Sequence, residues 1–349
     1  MLTFIPRLRI AYAILVLFLV PHSLHAEDGV QVVASLGTCK LESGRVIDPC
    51  RIGYRTFGKL NAARDNAVIM PSWYDGNSEA LQRYFSDHTV PDQLVDTSRF
   101  FGIAVDALGD GVSSSPSISG PQHGTAFPVF TIRDMVETQY RLVTEILHLN
   151  HLHAVVGISM GGIQTFQWAI SHPDFLDLAV PIVGTPRETS FDLLAHQVLL
   201  DAILSDPAYD HGNYASQPPL QLANEYVMAM LTTPAYRVEH TTQKEYPAFL
   251  AEARKPQPQD ANDRVWQLRA VMTNDAIPGQ SLETVAKSTR NKFLIINAAQ
   301  DHMVNPDPAT RWAHASGAEF FLSQANCGHL VMDCEPTVST MVVRFLAGS

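Results

Sequence analysis

Ser159, Asp301 and His329 are the residues whose types and order could do chemistry together. A serine hydroxyl attacks a carbonyl only when a base takes its proton, and the imidazole that does so needs a carboxylate to fix its tautomer and stabilise its cation. That set performs acyl transfer through a covalent acyl-enzyme. Ser159 stands at the apex of Gly157-Ile158-Ser159-Met160-Gly161, a G-x-S-x-G pattern. A strand that turns straight into a helix strains its apex residue, and the positions two before and two after must be tiny, which Gly157 and Gly161 are. Met160 would then lend its backbone N–H to an oxyanion hole, helped by the positive end of the helix starting there. The short pattern also arises by chance as a glycine-rich turn with an incidental serine, so its surroundings must carry the reading. They do: apolar residues run up to the turn from His153, a helix-compatible stretch follows to Trp168, and the partners come downstream in the required order.

The elements that must position these residues follow from hydrophobic patterning. Lys292 to Ala298 reads as a strand whose C-terminal loop carries Asp301, and Glu319 to Leu322 as the last strand, followed by Asn326-Cys327-Gly328-His329. Both loops therefore open at the sheet edge that presents Ser159, and the order Ser, Asp, His is that of α/β-hydrolases. His329 competes with thirteen other histidines; His151 and His153 enter the Ser159 strand at its other end, where a histidine is usually structural. A strand over Ala67 to Met70 ends in Pro71-Ser72-Trp73-Tyr74-Asp75-Gly76, where such folds keep a second oxyanion donor. The Tyr74 N–H is chosen, with Trp73 next to it as a substrate contact; the alternative is that the two aromatics merely pack.

Val30 to Leu36 and Arg51 to Phe57 read as the opening strands, with the first cysteine pair in the loop between them. Phe100 to Val105 is a buried strand followed by a polar loop over 106–116, read as solvated because no phosphate-binding pattern follows it. Thr131 to Asp134 is a capping box opening a helix that stops near Asn150. Strand-helix-strand crossovers on either side of Ser159 imply a parallel sheet. After a strand over Leu178 to Gly184 the alternation stops, and about 187–289 is helical in pattern, with loops at Asp206 to Asp210 and Lys255 to Gln259. This insertion reads as a lid setting substrate choice, or else as a decoration unrelated to the site.

The 349-residue chain is 46% hydrophobic, enough for a real core, and its net charge of −11 with no basic run argues against nucleic acid. Arg7 and Arg9 precede an apolar run from Ile10 to Val20, and Leu24-His25-Ala26 follows. This is the pattern of a secretory signal over 1–26, implying a periplasmic or secreted enzyme with no stable membrane insertion afterwards; a retained anchor is the alternative, though the run is short for a bilayer. Four cysteines agree with export: pairing Cys39 with Cys50 and Cys327 with Cys334 is the simplest of three connectivities, with free buried thiols as the alternative. No spacing suggests a metal.

The segments from Tyr54 to Asn61, from Phe127 to Val136, from Gly157 to Trp168, and Asp260-Ala261-Asn262 with Arg269-Ala270 together resemble the homoserine O-acetyltransferase family. The resemblance covers nearly all of 27–349 and implies an α/β-hydrolase fold: a mostly parallel central sheet flanked by helices, with a helical lid insertion. It implies ping-pong chemistry on Ser159, Asp301 and His329, and relatives are often dimers through the lid, so a homodimer is an open expectation. Two positions depart from the family. The arginine and tyrosine that hold an amino acid's carboxylate are missing around Pro258 to Arg264, leaving Arg264 to supply that contact from a shifted position. The aspartate that usually follows the catalytic histidine is replaced by Leu330. An amino-acid acceptor would be poorly held, and an exported enzyme would rarely meet acyl-coenzyme A. The expectation is an exported serine hydrolase cleaving a small-molecule acyl ester without metal or cofactor. The alternatives are an O-acyltransferase of the family type and a non-catalytic binding protein on the same scaffold.

Overall fold

The computed structural model describes residues 28–348. The leader read over 1–26 lies outside the described residues. Eight strands form the main sheet: β1 (Val32–Lys40), β2 (Val46–Phe57), β3 (Ala67–Pro71), β4 (Phe101–Val105), β5 (Leu152–Ile158), β6 (Leu176–Ile182), β7 (Lys292–Ala298) and β8 (Glu319–Ser323). Their spatial order is β1-β2-β4-β3-β5-β6-β7-β8. The β1–β2 and β2–β4 pairs are antiparallel, and every other pair is parallel. The central strands are apolar along their whole length because both faces are covered: every residue of β3 is buried, and six of the seven in β7.

On one face α1 (Ile132–Arg141) and α2 (Met160–Ser171) pack with an aromatic group in which Phe166 meets Phe293 and Trp312. On the other, Val68, Val156 and Ile296 pack with Val342 and Phe345 of the C-terminal helix, Thr337–Ala347. The capping box of α1 is present, with Thr131 and Asp134 exchanging hydrogen bonds with each other's backbone N–H.

Between β6 and β7 the chain leaves the sheet for six α-helices: α3 (Ser190–Leu204), α4 (Gln221–Met230), α5 (Pro234–His240), α6 (Tyr246–Ala253), α7 (Ala261–Met272) and α8 (Leu282–Ser288). A short 3-10 helix, Pro207–Gly212, replaces the expected loop there; Pro207 at its first position and an Asp206 cap favour the turn.

Two expectations need correction. The first cysteine pair is not in a loop: Cys39 lies in β1 and Cys50 in β2, and their disulfide crosses a hairpin whose turn is confined to the residues between Lys40 and Val46. Polar residues facing water along the hairpin hid its alternation. The second disulfide joins Cys327 to Cys334. The loop over 106–116 is not solvated either. Asp106, Asp110, Ser113, Ser114 and Ser115 are buried because their side chains hydrogen-bond within the protein. Asp106 accepts from the Ser78 N–H and hydroxyl and from Gln31, Asp110 accepts from the Val112 and Ser113 N–H groups, and the Ser113 hydroxyl donates to the Asp106 carbonyl. Polar composition implies solvent only when the polar groups cannot satisfy one another.

Candidate active site

Ser159 joins β5 to α2 with φ 57° and ψ −123°, outside the regions a serine ordinarily occupies. Such a conformation costs about 1–3 kcal/mol and persists only where its surroundings enforce it. Here the Ser159 N–H donates to the Ile182 carbonyl of β6 at 2.9 Å, and the carbonyl of Ser159 accepts from Ile163. A Cβ on Gly157 would collide with the Gly161 carbonyl, and one on Gly161 would stand 2.6 Å from the Pro71 carbonyl. The two glycines therefore let the helix start tight against two strands.

Three side chains from three loops meet here. His329 Nε2 lies 2.8 Å from Ser159 Oγ, and His329 Nδ1 lies 2.7 Å from Asp301 Oδ2. With Nδ1–H donated to the carboxylate, Nε2 has its lone pair free to accept the serine hydroxyl. Asp301 is buried, and its other oxygen accepts from the Met303 and Val304 N–H groups at 2.8 and 3.0 Å. The His329 N–H donates to the carbonyl of Leu231, so the helical insertion holds the loop that carries the imidazole. The other histidines read as structural are elsewhere: His151 pairs with Asp177 and His153 contacts the Leu346 carbonyl and stacks on Phe100.

Met160 is the first residue of α2, and Tyr74 lies in the loop after β3. Trp73, Tyr74, Ser159, Met160 and His329 line one cavity of about 400 Å³. The two backbone segments are held against each other by buried amides. Gln164 donates to the Ser72 and Met160 carbonyls, Gln139 donates to Gln164, and Trp168 donates to Gln139. From above, α7 grips the same loop: Gln267 accepts from the Asp75 N–H and donates to the Leu108 carbonyl, and Arg264 Nε lies 2.9 Å from Asp75 Oδ2.

Arg264 reaches the cavity but is engaged there, with Nη1 donating to Asn224 while Nε faces Asp75. Burial pushes the Asp75 carboxyl up, and the neighbouring guanidinium opposes that. The Tyr74 phenol is likewise raised, first by burial and then by Asp75, and its hydroxyl has no hydrogen-bond partner. Leu330, beside His329, adds apolar wall, as do Leu199, Met228 and Met303.

Sequence reasoning missed Gln164, Gln267, Asp75 and His196. Gln164 carried a signal, a long polar side chain one helical turn beyond Met160, directly after the small and apolar turn from Met160 to Ile163. His196 had none beyond its place in the insertion. It lines the cavity from α3, and burial lowers its pKa while the carboxyl of Glu188 behind it is pushed far up, by burial first and then by Asp192.

Comparison with known proteins agrees with this architecture. The α/β-hydrolase fold family matches residues 70–336. An ethyl acetate hydrolase of Pseudomonas veronii is 37% identical over 183 residues, 52% of each chain. A homoserine O-acetyltransferase of Geotalea uraniireducens is 34% identical over 198 residues, 53% of each chain. The chain thus spans about half the length of these curated relatives. The solved structure of the acetyl esterase MekB superposes with a TM-score of 0.83 at 27% identity, covering 92% of this chain and 97% of that one. The chain belongs to the α/β-hydrolase fold family. Within it, it is similar to esterases and to homoserine O-acetyltransferases.

Proposed function

We propose that the protein is an exported serine esterase that hydrolyses small uncharged acyl esters, acetyl esters first among them. The observation that supports it most is the hydrogen-bonded line from Ser159 through His329 to Asp301, opening into a largely apolar cavity. Ser159 Oγ attacks the ester carbonyl as His329 Nε2 takes its proton; Asp301 holds the imidazole by Nδ1 and stabilises its cation. The N–H groups of Met160 and Tyr74 receive the oxyanion. Collapse breaks the ester bond, and the proton on Nε2 leaves with the alcohol. Water, deprotonated by the same nitrogen, then attacks the acyl-serine; collapse breaks the acyl–Oγ bond, frees the acid and returns the proton on Nε2 to Ser159 Oγ.

Charge in the cavity favours an uncharged substrate. Arg264 is answered by Asp75, and Arg83 lies between Asp92 and Asp333 at 3.3 and 3.6 Å, so neither guanidinium is left to bind a carboxylate. Leu330 stands beside His329 where the family resemblance implies an aspartate for an amino-acid acceptor. The similarity to an ethyl acetate hydrolase and to an acetyl esterase supports the same choice. The two disulfides fit an oxidising compartment, which supports export.

Incubation with a fluorophosphonate followed by intact-mass measurement tests the nucleophile: one adduct is expected, absent in Ser159→Ala. In parallel, p-nitrophenyl acetate turnover is measured with and without homoserine. Turnover indifferent to homoserine is expected, whereas acceleration with formation of O-acetylhomoserine assigns the chain to acyl transfer. Absence of both labelling and turnover overturns either chemistry.

A further inference from the structure

Most polar groups on the cavity wall are spent on one another. Arg264 is held by Asp75 and Asn224, Arg83 by Asp92 and Asp333, and Ser159, His329 and Asp301 form their own line. His196 is different. It sits on α3 with its side chain 7% exposed, and its Nδ1 is sealed 3.7 Å from Glu188 Oε2. Neither that nitrogen nor either Glu188 oxygen has a hydrogen-bond partner in the protein. A buried polar group left unpaired costs about 1–3 kcal/mol, so a wall that keeps three such atoms together needs a reason.

The neighbouring groups restrict what this reason is. Glu188, just before α3, and Asp192 in its first turn face His196, His329 faces it from the loop after β8, and the Asn274 amide lies against Glu188. Asp192 is already satisfied, accepting from the Thr189 N–H and hydroxyl and from the Asn305 N–H. Burial pushes the Glu188 carboxyl well up and the His196 pKa down, disfavouring the charged form of each. With Nδ1 sealed, Nε2 is the nitrogen left to the cavity that His196 lines, without a hydrogen-bond partner among the described residues.

Building on the esterase reading, we propose that His196 anchors a second polar group of the substrate. The ligand class is an uncharged ester carrying a hydroxyl in addition to its scissile group, since a hydroxyl can both donate to and accept from an imidazole nitrogen. His196 is a specificity residue in this scheme.

The test uses isosteric pairs on the whole protein. On the alcohol side 2-hydroxyethyl acetate is compared with propyl acetate, and on the acyl side ethyl 3-hydroxypropanoate with ethyl butanoate. For at least one pair, the wild-type kcat/KM ratio should favour the hydroxylated ester by about tenfold, the scale of one buried hydrogen bond. In His196→Leu that ratio should fall to near one. Fluorophosphonate labelling and thermal unfolding of the variant separate a changed preference from a failure to fold. A wild-type ratio near one in both pairs overturns the proposal, as does a ratio that His196→Leu leaves unchanged. Turnover of none of the four esters by wild-type protein overturns the esterase reading itself, and this one with it.

Discussion

At Ser159 the backbone does part of the chemical preparation. A positive φ lifts Oγ off the sheet edge, and Gly157 and Gly161 make room for the turn. Gly161→Ala places a methyl 2.6 Å from the Pro71 carbonyl. Overpacking against backbone costs about 1–3 kcal/mol, so this variant should lose stability in denaturant titration and lose activity beyond what unfolding explains. Ser159→Ala should fold normally and lose about a thousandfold or more in kcat on p-nitrophenyl acetate, the scale of a missing triad nucleophile. Retention of activity within about tenfold would show that another group attacks. The three side chains were legible from the sequence because each is tied to a pattern: a glycine-framed turn and two loops after late strands. His196, Asp75 and Gln267 were not, since their places at the cavity and its loop depend on which segments of the insertion face β3 and β5, and helical periodicity reports only that some face is buried.

Among the elements, α7 couples the insertion to the loop after β3. Gln267 holds the Asp75 N–H one residue beyond Tyr74. Gln267→Leu should lower kcat more than it raises KM, by about tenfold, because misplacing an oxyanion donor weakens the transition state more than the ground state. Equal losses in both parameters would make the residue merely structural. The first turn of α7 also sets a pH dependence. Burial raises the Asp263 pKa to about 8 despite hydrogen bonds from the Ser117 N–H and hydroxyl. An acid whose pKa is raised by folding contributes stability that is complete below about 4 and lost as pH climbs toward the folded value. Asp263→Asn should therefore gain on wild type in thermal unfolding as pH rises from 4 to about 8, by about 2 °C or more. A constant difference across that range would show that Asp263 ionises normally. The strands of the sheet were read within a few residues because parallel strands buried on both faces are continuous apolar runs. The hairpin of β1 and β2 was only half read because polar residues facing water interrupt its alternation, and the loop over 106–116 was misread because its buried polar side chains find partners far away in sequence.

Across the whole molecule, two short disulfides fasten opposite ends of the architecture. Cys39–Cys50, eleven residues apart, ties the antiparallel edge, while Cys327–Cys334, seven apart, brackets His329. Loops of that size restrain the unfolded chain by about 2–3 kcal/mol each. Replacing Cys39 and Cys50 by serine should lower the unfolding temperature and leave kcat of the folded protein near wild type. Replacing Cys327 and Cys334 should lower kcat as well, since the loop they close carries the imidazole; an unaffected kcat would show that the Leu231 carbonyl suffices to hold it. Among the described residues no helix is long and apolar enough to cross a membrane.

The grip of α7 on the loop after β3 bears on how such an enzyme diversifies. An insertion that only shaded the cavity would be a module, exchangeable between relatives to import new specificities wholesale. Here the insertion also supplies Leu231 to the His329 loop and Arg264 and Gln267 to Asp75, so a transplanted cap would arrive without the props that these two loops lean on. On the esterase reading, specificity is then free to drift residue by residue along the cavity wall, but not by wholesale exchange of the insertion.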